Sequence, residues 1–160
     1  MGKINIYTDG AARGNPGPGG YGVILEYGEH TKELSEGFRL TTNNRMELLA
    51  VIIGVEQIKK PGHEIIIYSD SKYVVDAINK QWVFNWEKIK YKKKKNKDLW
   101  KRFLQGYKNH NITMKWLKGH AGHTQNERCD YLAVQASNSR TLKIDKEYEL
   151  TISANSSLFD

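Results

Sequence analysis

The sequence predicts an α/β fold in which one mixed sheet carries helices on its faces. Three observations predict it. Short segments of alternating apolar residues interrupt longer stretches whose apolar residues recur at helical spacing. One segment, "HEIIIYSD", is a short continuous apolar run of the kind found at the centre of a sheet covered on both faces. The stretch "TTNNRMELLAVIIGVEQIKKPG" carries two interleaved apolar stripes, 46/49/50/53 and 48/51/52/55, so a helix there is buried on most sides.

Each element follows in chain order. Residues 3 to 9 alternate Ile4 and Ile6 against Asn5 and Tyr7 and read as a strand. "YGVILEYGEHTKELSEGFRL" reads as a hairpin turning near Gly28, with a bulge expected at Gly37. The apolar helix takes Asn44 as N-cap and Glu47 as its capping-box partner, and Pro61-Gly62 stops it. "HEIIIYSD" is the fourth strand. "SKYVVDAINKQWVFNWEK" is helical and leads into a basic segment, and "KDLWKRFLQGYKNH" is a helix with Leu99, Trp100, Phe103 and Leu104 on one side. "ITMKWLKGHAGH" is a last strand running into a glycine loop. "TQNERCDYLAVQASNS" is a helix with a Thr124–Glu127 capping box and an apolar stripe Cys129/Leu132/Ala133/Ala136. Beyond about Lys143 the pattern weakens into a tail. The order is β-β-β-α-β-α-α-α-β-α.

The chain of 160 residues is sized for one domain. Its 39% hydrophobic and 27% charged content is that of an ordinary soluble globule. No apolar run approaches the ~20 residues that span a bilayer, and "MGKINIY" lacks the features of a signal peptide. Met-Gly could open a myristoylation signal, but Ile6 stands where that pattern wants Ser or Thr. A single cysteine, Cys129, excludes an internal disulfide framework and fits a reducing cytoplasm. The net charge of +7 makes a polyanionic partner plausible. "EKIKYKKKKNKDLWKR", residues 87 to 102, holds nine Lys or Arg against Glu87 and Asp98, so this segment accounts for the whole excess. A lysine run is often only a solvated loop. Here Trp82, Phe84, Trp86 and Tyr91 precede or interleave it, placing stacking faces beside phosphate-seeking charges.

"YTDGAARGNPGPGG" sets Asp9 at a strand end before a glycine-rich loop. Gly17-x-Gly19-x-x-Gly22 formally matches a dinucleotide fingerprint, but that motif must open a helix and "YGVILEYG" alternates as a strand. The aspartates suggest another use. Asp9 and Asp70 each end a strand, where ligands gather in an open α/β sheet, Glu47 lies in the first turn of a helix, and Asp130 lies in the second turn of the last helix. Taken singly, Glu47 is a capping residue, Asp9 a turn-former, Asp70 an N-cap and Asp130 a solvated helix aspartate. Taken together, four converging carboxylates repel one another unless divalent cations sit among them. Oxygen-only ligation favours Mg²⁺ or Mn²⁺ over zinc, and two such ions ~4 Å apart can drive phosphodiester hydrolysis. Spacing alone does not establish the convergence.

"YTDGAARGNPGPGGYG", "TTNNRMELLA", "YSDSKYV" and "KGHAGHTQNERCDYLA" resemble, in order, the signature segments of type 1 ribonuclease H in its bacterial form. The resemblance runs from about residue 3 to residue 150, leaving residues 151 to 160 as a C-terminal tail with no assigned role. It implies a ribonuclease H-like fold, a five-stranded mixed sheet with helices on both faces. It implies Mg²⁺-dependent endonucleolytic cleavage of RNA within RNA–DNA hybrids, giving 5′-phosphate and 3′-hydroxyl ends, with two ions engaged when substrate is bound. The family's metal-binding carboxylates correspond to Asp9, Glu47, Asp70 and Asp130, and its histidine, for proton transfer or product departure, to His120. Asn15, Asn43 and Asn44 match positions at the RNA strand, where side-chain amides can both donate to and accept from a 2′-hydroxyl. Thr42 and Asn96 match a pocket for a DNA phosphate, and Tyr73 and Trp82 a channel for the DNA strand. Lys92, Lys93 and Lys94 lie in the segment matching the basic protrusion that grips hybrids. Three departures stand out, one being a basic protrusion several residues shorter than is usual in the family. Leu40 replaces the arginine usual in the phosphate pocket, with Arg39 one residue away and pointing to the opposite face. Lys72 stands beside Asp70 where a neutral side chain is common, placed to contact the nucleic-acid backbone.

Three rival readings carry different expectations. A DNA-cutting relative such as a resolvase or transposase would cleave plain DNA. A non-catalytic hybrid-binding module could lack carboxylates. Zinc binding by His120, His123, Cys129 and Asp130 has suggestive H-x-x-H spacing but too little sulfur and imidazole. The expected assembly is a monomer in the cytoplasm, away from membranes.

Overall fold

The structure is a computed structural model that describes residues 2–118 and 122–157. Five strands, β1 (Lys3–Ala12), β2 (Gly17–Tyr27), β3 (His30–Thr41), β4 (Glu64–Ser69) and β5 (Asn111–Trp116), form one sheet in the order β3-β2-β1-β4-β5. The first three strands run antiparallel as a meander, whereas β4 and β5 extend the sheet parallel to β1. The mixed sheet expected from the sequence is therefore present. β4 lies between β1 and β5 with Ile65, Ile66 and Ile67 all buried, as its unbroken apolar run requires.

Helix α1 (Asn43–Glu56) packs on one face of the sheet, and α2 (Lys72–Asn79), α3 (Trp82–Lys88) and α4 (Lys97–Tyr107) extend that layer. Ile4, Ile6, Tyr21, Val23, Leu25, Ile65 and Ile67 meet α1 there in the main core, which continues through Val74, Trp100 and Phe103. α1 is buried nearly all round, as its two stripes demand. Helix α5 (Thr124–Ser137) covers β1, β2 and β3 from the opposite face.

Several local readings are corrected. β1 continues past Asp9 to Ala12 and pairs with Gly19–Gly22 of β2, so most of the glycine-rich segment is strand, not loop. Only residues 13 to 16 turn, with a cis Asn15–Pro16 peptide. The β2–β3 register shift falls between Gly17 and Gly19, not at Gly37. Gly37 is needed for another reason: a Cβ there would collide with the Ala136 carbonyl of α5. The N-cap of α1 is Thr42, whose hydroxyl accepts from the Arg45 N–H at 3.2 Å, so Asn44 does not cap and Glu47 is released from the capping box. In α5 the N-cap position belongs to His123, and Thr124 is the first helical residue. The helical stretch from residue 72 breaks at Gln81, which takes a left-handed φ of 62° between α2 and α3. Where the pattern was expected to weaken into a tail, α6 (Lys146–Ser157) forms a helix against β3. Its seat begins at Asp145, which accepts from Arg45 (2.7 Å) and Thr41 (2.7 Å), and continues with a bidentate Arg39–Glu149 pair (2.9 and 2.8 Å).

Candidate metal centre and nucleic-acid interface

β1 and β4 are parallel neighbours, so Asp9 near the end of one and Asp70 just beyond the other emerge at the same edge of the sheet. α1 starts beside that edge because the Gly10 backbone lies against Met46 and Glu47, where a Cβ would collide with the Met46–Glu47 peptide. This close approach brings Glu47 over the strand ends. Carboxylate oxygens of Asp9, Glu47 and Asp70 lie within 4.8 Å of one another. Asp130 projects from α5, and its carboxyl acts on both Asp9 and Glu47, sharing a hydrogen bond with the former. Three of the four predicted carboxylates thus form a compact triad, with the fourth approaching from the other face.

The electrostatics follow from this crowding. Burial, then the charges of Asp70 and Asp130, push the Asp9 carboxyl up to about 8, opposed by a hydrogen bond from the Gly10 N–H at 2.9 Å. Burial first, then Asp9, Asp70 and Asp130, raise Glu47 well above the ordinary carboxylate range. Its Oε2 is sealed from solvent and has no hydrogen-bond partner. Clustered oxygens, held protons and an orphaned buried acceptor fit a hard divalent cation bound by oxygen. Cys129 does not fit a zinc site. Its thiol is buried, donates to the Tyr7 carbonyl at 3.3 Å, and is pushed up by desolvation, so it is a packed core thiol.

The predicted substrate residues fall into two groups. Asn15 lies in the β1–β2 turn, where its Oδ1 accepts from the Asn43 N–H (2.9 Å), while the Asn43 Oδ1 accepts from the Ala12 N–H (2.5 Å). These bonds tie the turn to the start of α1, with Asn44 exposed next to them. The second group is organised by Arg45. Buried at 4% exposure, its guanidinium donates to Asp98 (2.7 Å), Asp145 (2.7 Å) and the Asn96 Oδ1 (3.3 Å). Burial would raise Asp98, but the Arg45 hydrogen bonds and charge hold it below its usual range. The Asn96 amide then donates to the Tyr73 hydroxyl (3.1 Å), which also accepts from the Trp100 indole N–H (2.9 Å). Thr42 and Asn96 line a cavity of about 780 Å³ whose other walls are the lysine run, including Lys92, Lys93 and Lys94, and α6. Lys94 lies over the Trp86 ring at 5.3 Å, and Trp82, 42% exposed, sits under Lys80 at the start of α3. The lysines and aromatics therefore interleave in space as they do in sequence. His120 lies outside the described residues.

Sequence reasoning missed two features. The Arg45–Asp98–Asp145 network had no local signal, since its members are spread over 100 positions. Trp116, at the end of β5, carries no motif that marks it in sequence, yet it is 44% exposed and its indole N–H donates to the Asp70 carbonyl at 3.3 Å.

Comparison with known proteins agrees with this geometry. The RNase H family model matches residues 1–138. Ribonuclease H of Syntrophus aciditrophicus is 52% identical over 151 residues, covering 91% of this chain and 87% of that protein. Ribonuclease H of Photorhabdus laumondii is 54% identical over 147 residues, covering 88% and 93%. Among solved structures, LC9-RNase H1, a type 1 RNase H with the type 2 active-site motif, superposes with a TM-score of 0.79 at 32% identity, covering 88% of this chain and 74% of that one. LC11-RNase H1 in complex with an RNA/DNA hybrid gives a TM-score of 0.56 at 25% identity, covering 84% and 96%.

Proposed function

The chain belongs to the RNase H family, and from that premise we propose that it is an endonuclease that hydrolyses the RNA strand of RNA–DNA hybrids, using a divalent cation held by Asp9, Glu47, Asp70 and Asp130. The observation that carries this reading is the carboxylate triad with its sealed, partnerless Glu47 oxygen, an arrangement relieved by a hard cation. Mg²⁺ is the ion best suited to this donor set, with Mn²⁺ the alternative. When bound, such ions orient and activate the attacking water and stabilise the leaving oxygen.

The chain's own residues supply position and selectivity. Water attacks the phosphorus and the bond to the 3′-oxygen breaks, leaving 5′-phosphate and 3′-hydroxyl ends. The Asn15–Asn43–Asn44 cluster, tied to β1 at Ala12, reads 2′-hydroxyls of the RNA strand. Thr42 and Asn96 take a phosphate of the DNA strand, which Tyr73, Trp82 and Lys92 to Lys94 guide along the basic side. Leu40 stands where the family has an arginine and the neighbouring Arg39 is bound to Glu149, so the arginine at this pocket is Arg45, which reaches Asn96. His120 is assigned proton transfer or product departure on the resemblance. Residues 1–150 carry the activity, as a monomer in the cytoplasm.

Cleavage of matched hybrid, double-stranded DNA and double-stranded RNA, with and without divalent metal, tests the reading. Only the hybrid is expected to be cut, and only with metal. Comparable cutting of plain DNA would replace the substrate assignment with a DNA-cleaving one. Asp9→Asn is expected to retain hybrid binding while losing cleavage by about two or more orders of magnitude.

A further inference from the structure

The carboxyl end of β5 bears on the metal centre in a way the carboxylates do not explain. Ser69 of β4 is in register with Trp116 of β5, and the Leu117 N–H donates to the Ser69 carbonyl at 2.8 Å. The Trp116 indole N–H donates to the next carbonyl along, that of Asp70, at 3.3 Å. The same indole presents its face to the Lys72 ammonium, 4.5 Å from the ring centroid. Lys72 opens α2, where a cation opposes the helix dipole and no acidic residue shares the first turn. Trp116 is 44% exposed at the end of β5, and Lys72 follows Asp70 by two residues at the start of α2.

We propose that Trp116 is a positioning residue with two functions: its N–H steadies the Asp70 backbone at the metal centre, and its ring face holds Lys72 beside the carboxylates. Lys72 then takes a backbone phosphate flanking the scissile one on the RNA strand. The indole restricts an otherwise mobile ammonium, so less freedom is lost when the phosphate arrives. This inference rests on the hybrid-cleaving reading above.

The test uses the full chain with Lys72→Gln, Trp116→Leu, Trp116→Phe and the Lys72→Gln/Trp116→Leu double variant, each checked for an intact melting transition. Lys72→Gln is expected to raise KM for the hybrid about three- to tenfold, the loss falling in KM rather than kcat, and to lower the salt slope of binding by about 0.7–0.9. Trp116→Leu reproduces that rise and also increases the Mg²⁺ concentration for half-maximal binding, measured by calorimetry. Trp116→Phe keeps a ring face but no N–H, so it restores KM and leaves the Mg²⁺ defect. In the double variant KM rises no further than in Lys72→Gln alone, because both changes remove one interaction. An unchanged KM and salt slope in Trp116→Leu, or additive effects in the double variant, would overturn the proposal. Asp70→Asn separates the two levels: if it cleaves normally the metal-centre reading fails, whereas an inactive Asp70→Asn beside a neutral Trp116→Leu sinks only the role of Trp116.

Discussion

Asp9 is a carboxyl pressed among other carboxyls, and its protonation links the site to stability. Without metal it holds its proton up to about pH 8, against 3.8 for an unperturbed aspartate. Between those values the native state binds more protons than the unfolded chain, so stability falls as pH rises through that window. Metal-free Tm is expected to drop from about pH 5 to about pH 8, and the drop should be shallower in Asp9→Asn, which has no charge to develop there. Mg²⁺ should raise Tm, most at the alkaline end where the cation stands in for protons already lost. Differential scanning calorimetry with chelator and with Mg²⁺ checks both, and a metal-free Tm that climbs across the window would contradict the clustered geometry. At this scale the sequence was informative. Asp9, Asp70, Glu47 and Asp130 could be named from strand ends and helix turns, but their individual structural roles were equally comfortable until the structure brought the oxygens together.

Among the elements, strands and buried helices were legible and their boundaries were not. β4 and α1 announced themselves through runs of Ile, Val and Leu, whose burial overrides local detail. The glycine-rich segment misled because glycine and proline signal turns locally, while pairing with β2 depends on residues about ten positions away. Gly37 misled for a related reason. Its missing side chain serves contact with α5, which a strand pattern does not register. Gly37→Ala is accordingly expected to destabilise the protein by about 1–3 kcal/mol through displacement of α5, read as a lower urea midpoint with an unchanged slope. The basic loop between α3 and α4 makes a separate prediction. Neutralising Lys92 to Lys95 to Gln should flatten the dependence of log binding constant on log salt by about 0.7–0.9 for each phosphate no longer neutralised. An unaltered slope would make the run a solvated loop.

Over the whole molecule, Arg45 links the body of the fold to its C-terminal segment. One buried guanidinium joins the start of α4 through Asp98 to the start of α6 through Asp145, and Tyr148 of α6 lies beside it at 5.8 Å. The last helix is thus held to the body of the fold by a residue of α1. Removing one partner of such a network leaves buried charge uncompensated. Arg45→Ala should therefore cost about 3–5 kcal/mol by urea denaturation, and a loss under about 1 kcal/mol would show the network to be idle.

Composition and periodicity by themselves determined the sheet-and-helix architecture, the concentration of basic charge in one segment and the short roster of acidic residues able to do chemistry. These are carried by local side-chain pattern and by charge, which survive in one dimension. Tertiary structure alone decided which oxygens meet, that Thr42 and not Asn44 starts α1, that a helix follows Asp145, and that Trp116 faces the Asp70 carbonyl. Each of those depends on contacts between segments distant in the chain, set by strand register and close backbone approach, for which neighbouring residues hold no record.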